Sequence, residues 1–166
     1  MKKFIPVLLL LPTMLLAGDK SPDESFYEKA AQGSIAEVEQ GKLAQEKGKS
    51  EAVKHFGMMM VKDHSAAGDR LKMIATKKGI ELPTRSSVGQ MATKTKLEVL
   101  SGETFDKSYV KGMVKDHKED IEHFEQEANS GKDPEAKAFA AKTLPTLREH
   151  LKMIEKIAAT AGIEVD

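Results

Sequence analysis

Val53-Lys54-His55-Phe56-Gly57-Met58-Met59-Met60-Val61-Lys62-Asp63-His64-Ser65-Ala66-Ala67-Gly68-Asp69-Arg70-Leu71-Lys72-Met73-Ile74 carries the repeat that decides the fold. Within it Val53, Gly57, Met60, His64, Ala67, Leu71 and Ile74 recur at alternating steps of four and three, the spacing that puts side chains on one face of an α-helix. Such a stripe is buried against other helices, and His64 stands in its middle. Downstream, Val110, Met113, His117, Ile121, Phe124 and Ala128 form a second stripe, and Ala140, Thr143, Leu147, His150, Ile154, Ile157 and Ala161 a third. Upstream, Ala30, Gly33, Glu37, Gly41 and Ala44 form a fourth, in which an acid lies among residues small enough to leave room for neighbours.

The boundaries of these helices can be read from their caps. Ser21-Pro22-Asp23-Glu24 predicts a helix over residues 22–46, with proline at the first helical position and acids at the positive end of the dipole. Gly48-Lys49-Ser50 makes a short turn into a helix over 51–78, which stops at Gly79 with Pro83 beyond it. Residues 80–101 are a longer connection holding a short helix over 88–99. Gly102 opens a helix over 103–129, Ser130-Gly131-Lys132 turns the chain, and Asp133-Pro134 starts a last helix to residue 161. Pro145 lies inside that helix and is expected to kink it. Short turns make each flanking pair antiparallel. The expected fold is therefore all-α, a four-helix bundle of two helical hairpins joined by a longer linker. About twenty linker residues suffice either to cross the bundle or to cover one end.

The ends and the composition set further bounds. Met1-Lys2-Lys3, the apolar run over 4–16 and Ala17-Gly18 have the layout of a secretory signal peptide, which assigns residues 1–18 to a leader and 19–166 to the bundle domain. Removing 18 of 166 residues leaves 148, enough for one core, and takes two of the 26 basic residues and none of the 26 acids, for a net charge of −2. No concentrated basic face is present for a nucleic acid. Beyond residue 18 no run is apolar enough for a transmembrane segment. Without cysteine there is no lipoprotein acceptor, disulfide or thiolate ligand, so any metal must use nitrogen, oxygen or thioether donors. Nucleophile elbows, phosphate loops and zinc-protease motifs are absent.

Counting places the four polar stripe residues near one height. Glu37 lies about thirteen residues before the first turn and His64 about fourteen after it, which is one layer at ~1.5 Å per residue. His117 and His150 differ by roughly 5 Å on the same scale, an offset that a kink at Pro145 can change. Met60-Val61-Lys62-Asp63-His64 recurs as Met113-Val114-Lys115-Asp116-His117, and Glu149-His150 repeats the acid-His pair. Adjacent helical residues point ~100° apart, so Asp63, Asp116 and Glu149 fall on the flanks, where they can orient an imidazole or be solvated. Three imidazoles and a carboxylate suit one transition metal ion, Zn, Fe, Mn or Cu. Met60, Met113 and Met153, each near a His, add thioethers that favour copper, although Met is also a common core filler. His55 and His123 fall off the stripes and read as surface residues, with Glu119 and His123 one turn apart as a pair. Equally, the four polar groups can form a closed structural layer that fixes helix register.

Several runs carry a resemblance: residues 26–31, Glu37-Val38-Glu39 with Gly41-Lys42-Leu43-Ala44, the Met60 to His64 pentapeptide, Leu100-Ser101-Gly102 with Phe105-Asp106, Asp116-His117, and Thr143-Leu144-Pro145-Thr146-Leu147 followed by His150. In this order, over nearly all of the mature chain, they resemble a large bacterial domain-of-unknown-function family, often labelled outer-membrane proteins and placed among ferritin-like folds. The resemblance implies an exported ferritin-like bundle, with envelope association of a peripheral kind. Ferritin-like di-iron sites use a Glu and a Glu-x-x-His in each half. Here the acids adjoin His64 and His150 directly, and the only acid-x-x-His, Asp120 to His123, is off the stripe. One metal is therefore expected rather than two. The expected function is an exported, periplasmic metal-binding bundle for storage, buffering or redox chemistry at Glu37, His64, His117 and His150. The alternative is an envelope interaction or stress protein whose polar layer is structural. Oligomeric state and partner are not encoded legibly.

Overall fold

The computed structural model describes residues 20–165, so the leader read at 1–18 lies outside the described residues. Five helices follow in order: α1 Pro22–Lys47, α2 Glu51–Lys78, α3 Val88–Glu98, α4 Gly102–Ser130 and α5 Pro134–Thr160. Among the described residues there is no strand, only an isolated bridge between Gly48 and Gly102. No helix among them is long and apolar enough to cross a membrane.

The expected caps form. Ser21 and Glu24 close a capping box on α1, and Ser87 with Gln90 closes another on α3. Ser50 caps α2, which ends on left-handed Gly79, and Asp133 accepts from the backbone N–H groups of Glu135 and Ala136 to start α5. α5 is continuous through Pro145.

Two ties fix how the hairpins are arranged. Both carboxylate oxygens of Asp106, in the first turns of α4, accept from the backbone N–H groups of Lys49 and Ser50 at 2.8 Å, which puts the start of α4 beside the α1–α2 turn. At the other end Lys78 pairs with Asp133 at 2.9 Å, and the Lys132 N–H donates to Asp23 at 2.9 Å. The linker therefore crosses the bundle end to end, carrying α3 along the α1/α4 seam, and α2 and α4 run parallel. Around the bundle the order is α1, α2, α5, α4.

Two apolar clusters fill the interior. One, toward the α1–α2 turn, includes Ala44, Phe56, Met60, Phe105, Tyr109, Met113 and Ile154. The other, toward the α4–α5 turn, includes Phe26, Tyr27, Leu71, Phe124, Phe139 and Leu147. Each long helix passes from one cluster to the other, and Glu37, His64, His117 and His150 lie between them in sequence on their helices. α1 and α2 approach most closely just beside this layer. A β-carbon on Gly57 would stand 2.6 Å from the Gly41 carbonyl oxygen and 2.7 Å from the Ala44 β-carbon. Only glycine permits that distance.

Candidate metal centre

The close approach at Gly41 and Gly57 carries Glu37, one turn before Gly41, against His64. Glu37 Oε2 lies 2.7 Å from His64 Nδ1, and Oε1 lies 3.5 Å from His117 Nδ1. The first contact is an ion-pair distance without an aligned N–H bond, and neither carboxylate oxygen has a hydrogen-bond partner. His117 Nδ1 instead lies 2.9 Å from the carbonyl oxygen of Met113, one turn earlier, to which it donates. His150 Nε2 donates across the α2/α5 seam to Asp63 Oδ2 at 3.0 Å.

Each imidazole therefore has one nitrogen against an oxygen. The other nitrogens, His64 Nε2, His117 Nε2 and His150 Nδ1, are buried without a partner. Ring centroids are 5.8 Å apart for His64 and His117, 5.4 Å for His64 and His150, and 5.5 Å for His117 and His150. The near-equal spacings bring all three rings into one cluster despite the offset that counting gives His117 and His150. One nitrogen from each of the three His lies within 4.8 Å of those of the other two. Phe56, fully buried, stands 6.2 Å from both His117 and His150 and forms an apolar wall beside them.

Burial governs the protonation of this layer. It drives His117 down to about 4, a shift that the facing Glu37 charge only partly offsets. Burial also lowers His150, against the opposing pull of Asp63. For Glu37 burial alone would raise the pKa, but His64, His117 and His150 together hold it below its ordinary value. At neutral pH His117 is thus a neutral imidazole whose Nδ1–H is fixed on Met113 and whose Nε2 presents a lone pair. Neutral imidazole is the form that binds metals.

The three flank acids have different surroundings. Asp63 orients His150. Asp116 is half-buried and lines a cavity of about 350 Å³ under α3 with Glu37. Glu149 is exposed at the rim of a cavity of about 250 Å³ on the α2/α5 seam, which reaches His64 and His150. Met60 and Met113 are buried in the apolar cluster, whereas Met153 is 38% exposed and leaves the set of inward thioethers. His55 is exposed as expected, but Glu119 pairs with Lys115 at 2.9 Å rather than with His123, which is half-buried 3.5 Å from Lys29. The sequence also gave no sign of buried Gln40 and Tyr109, whose polar atoms lack partners. Gln40 lies three residues after Glu37, a same-face spacing that marks it in retrospect.

A cluster of three buried imidazoles between two apolar cores characterises this all-helical protein. The chain belongs to the family described as "Domain of unknown function (DUF4142)", whose model matches residues 14–157. No curated protein matches the sequence. Among solved structures it is similar to a DUF305 protein from Streptomyces coelicolor, with 14% identity, 88% of this chain and 97% of that one covered, and a TM-score of 0.73. A DUF305 fragment from Deinococcus radiodurans matches at 12% identity, 85% and 97% coverage and a TM-score of 0.74. CopM in its Cu(I)-bound form matches at 14% identity, 85% and 98% coverage and a TM-score of 0.71. At these identities the likeness is one of fold.

Proposed function

We propose that this protein is an exported, ferritin-like four-helix bundle that holds one transition metal ion on His64, His117 and His150, for storage, buffering or redox chemistry in the periplasm. The single long crossover between two hairpins supports the ferritin-like assignment. The observation that carries the metal reading is the set of three buried, partnerless nitrogens on imidazoles whose other nitrogens face oxygens. A closed structural layer would leave no such set, since each buried polar atom without a partner costs about 1–3 kcal/mol. Glu37 and Asp63 serve this site by orienting His64 and His150, the usual role of a carboxylate behind a histidine ligand.

Metal–nitrogen bonds near 2 Å keep two ligands on one ion within about 4 Å, so nitrogens within 4.8 Å of one another need only a small contraction to close on it. Copper is the first choice among Zn, Fe, Mn and Cu. Imidazole donors suit it, and the fold likeness includes CopM in Cu(I)- and Cu(II)-bound forms. Residues 1–18 act as the leader and 19–166 as the domain, with any envelope attachment peripheral. The test is the metal content of untagged, metal-stripped protein after exposure to Cu, Zn, Fe or Mn and desalting. The expected result is one equivalent in the wild type and none in the His64→Ala/His117→Ala double variant. Equal retention by both, or none by either, overturns the proposal.

A further inference from the structure

Toward the α4–α5 turn, the α1/α4 seam holds a cavity of about 260 Å³, near the lower end of the ~300–1,000 Å³ typical of ligand cavities. None of the three histidines of the metal centre lines it. Its α4 wall presents Asp120, Phe124 and Glu127, spaced by four and three residues, so all three share one face. Across the seam Phe26 and Ala30, one turn apart on α1, form the facing wall. Ala30 contributes only a methyl to the middle of the cavity. The rings of Phe26 and Phe124 meet edge-on at one end, with centroids 5.0 Å apart.

Glu127 is 4% exposed, and its Oε1 is buried without a hydrogen-bond partner. That oxygen lies over Gly131, which lines the same cavity: a β-carbon there would stand 2.2 Å from it. The charge beside Glu127 is another acid, Asp23, so its neighbour repels rather than neutralises it. Asp120, half-buried, stands two turns earlier on the same face, roughly 10 Å along the helix. Two basic side chains reach the cavity, Lys29 and His123. Lys29 is exposed, and its Nζ lies 3.5 Å from His123 Nε2 rather than on either acid. The wall therefore has a carboxylate toward each end, one with a buried unpartnered oxygen, and aromatic surface between.

We infer that this cavity binds a short aliphatic diamine, with one ammonium on Glu127, the other on Asp120, and the methylene chain against Phe26 and Phe124. A metal ion does not fit, because its oxygen ligands must all come within about 2.3–2.6 Å of one point, and these carboxylates are two turns apart. Two ammonium–carboxylate contacts at that separation leave between them a chain of about four or five methylenes. Aromatic rings suit such a ligand, since they attract ammonium groups and cover apolar carbon. Burial and neighbouring acids hold Asp120 well above its ordinary pKa and Glu127 at about 7, as expected of acids with no cation beside them.

The experiment is isothermal titration calorimetry of the untagged protein with 1,5-diaminopentane at constant ionic strength. Wild type is expected to bind one equivalent with a dissociation constant of about 1 mM or tighter, and n-butylamine about tenfold more weakly. Glu127→Gln and Asp120→Asn are each expected to weaken diamine binding by about tenfold, the loss of one charge-assisted contact. Glu122→Gln, which alters an exposed acid outside the cavity, is expected to leave binding within about twofold. Thermal unfolding checks that each variant folds, and Ala30→Leu, which fills the middle of the cavity without touching a charge, is expected to abolish binding. No saturable heat up to about 10 mM diamine, wild-type affinity in Glu127→Gln, or equal weakening in Glu122→Gln overturns the inference. The last of these would assign the heat to general attraction of cations by surface acids.

Discussion

Asp63 on α2 accepts a hydrogen bond from His150 on α5 at 3.0 Å, so the acid beside one candidate ligand orients a different one across the seam. This contact fixes the His150 tautomer and leaves Nδ1 buried without a partner. Asp63→Asn keeps the shape and removes the charge, and is expected to weaken copper binding by about 10- to 100-fold. Glu149→Gln, altering an exposed acid next to His150 in sequence, is expected to change it less than about twofold. Competition with a chromophoric chelator measures both. Equal effects would mean that adjacency in sequence matters rather than the cross-helix bond.

The backbone contact between Gly41 and Gly57 sets the distance from Glu37 to His64. Gly57→Ala inserts a methyl where 2.6 Å separates its position from a carbonyl oxygen. The substitution is expected to cost about 1–3 kcal/mol by urea denaturation, as overpacking does. Gly112→Ala, with open space around its β-carbon position, is expected to be neutral or stabilising by about 1 kcal/mol.

Asp106 joins the hairpins through two charge-assisted bonds to backbone N–H groups. Asp106→Ala is expected to cost about 2–3 kcal/mol and to increase amide exchange at Lys49 and Ser50 before it affects the opposite end of the bundle. Uniform exchange throughout would show that the tie has no local role.

At that opposite end Glu127 is 4% exposed and folded against Gly131. Burial, reinforced by Asp23, raises its pKa from 4.5 to about 7. The folded state then binds the proton more tightly than the unfolded state, so this group's contribution is fully present below pH 4.5 and is lost as pH rises to about 7. Glu127→Gln is expected to match wild type near pH 4.5 and to exceed it by about 1–2 kcal/mol above pH 7, less than full burial implies because the bundle end is close to water. Thermal denaturation across that range measures the difference, and a constant offset would contradict the assignment.

The sequence made the layer legible because one polar residue interrupts each of four apolar stripes, and buried stripes are what helical periodicity reports. It made the helix ends legible because Ser21, Ser50, Gly79 and Asp133 act locally. The direction of the linker was not legible. His64 and His117 both sit near mid-helix, so parallel and antiparallel arrangements give the same layer, and Asp106 and Lys78 decide between them through contacts distant in sequence. Asp120 read only as an acid off the stripe, because flank positions are polar whether they face water or a neighbouring helix. In the structure it lies opposite Gly33 of α1, whose β-carbon position is 3.7–3.8 Å from its carboxylate oxygens. Nor does periodicity report contacts within the layer: Glu37 shares the height of the three His, and its carboxylate lies 2.7 Å from His64 Nδ1.

The most direct test is a crystal structure of the copper-loaded protein with anomalous data at the copper edge. The account predicts one strong peak about 2.0–2.1 Å from His64 Nε2, His117 Nε2 and His150 Nδ1, with the Asp63 and Met113 contacts retained. A saturated protein whose only copper peaks lie on surface side chains, with the three rings unmoved, would contradict it.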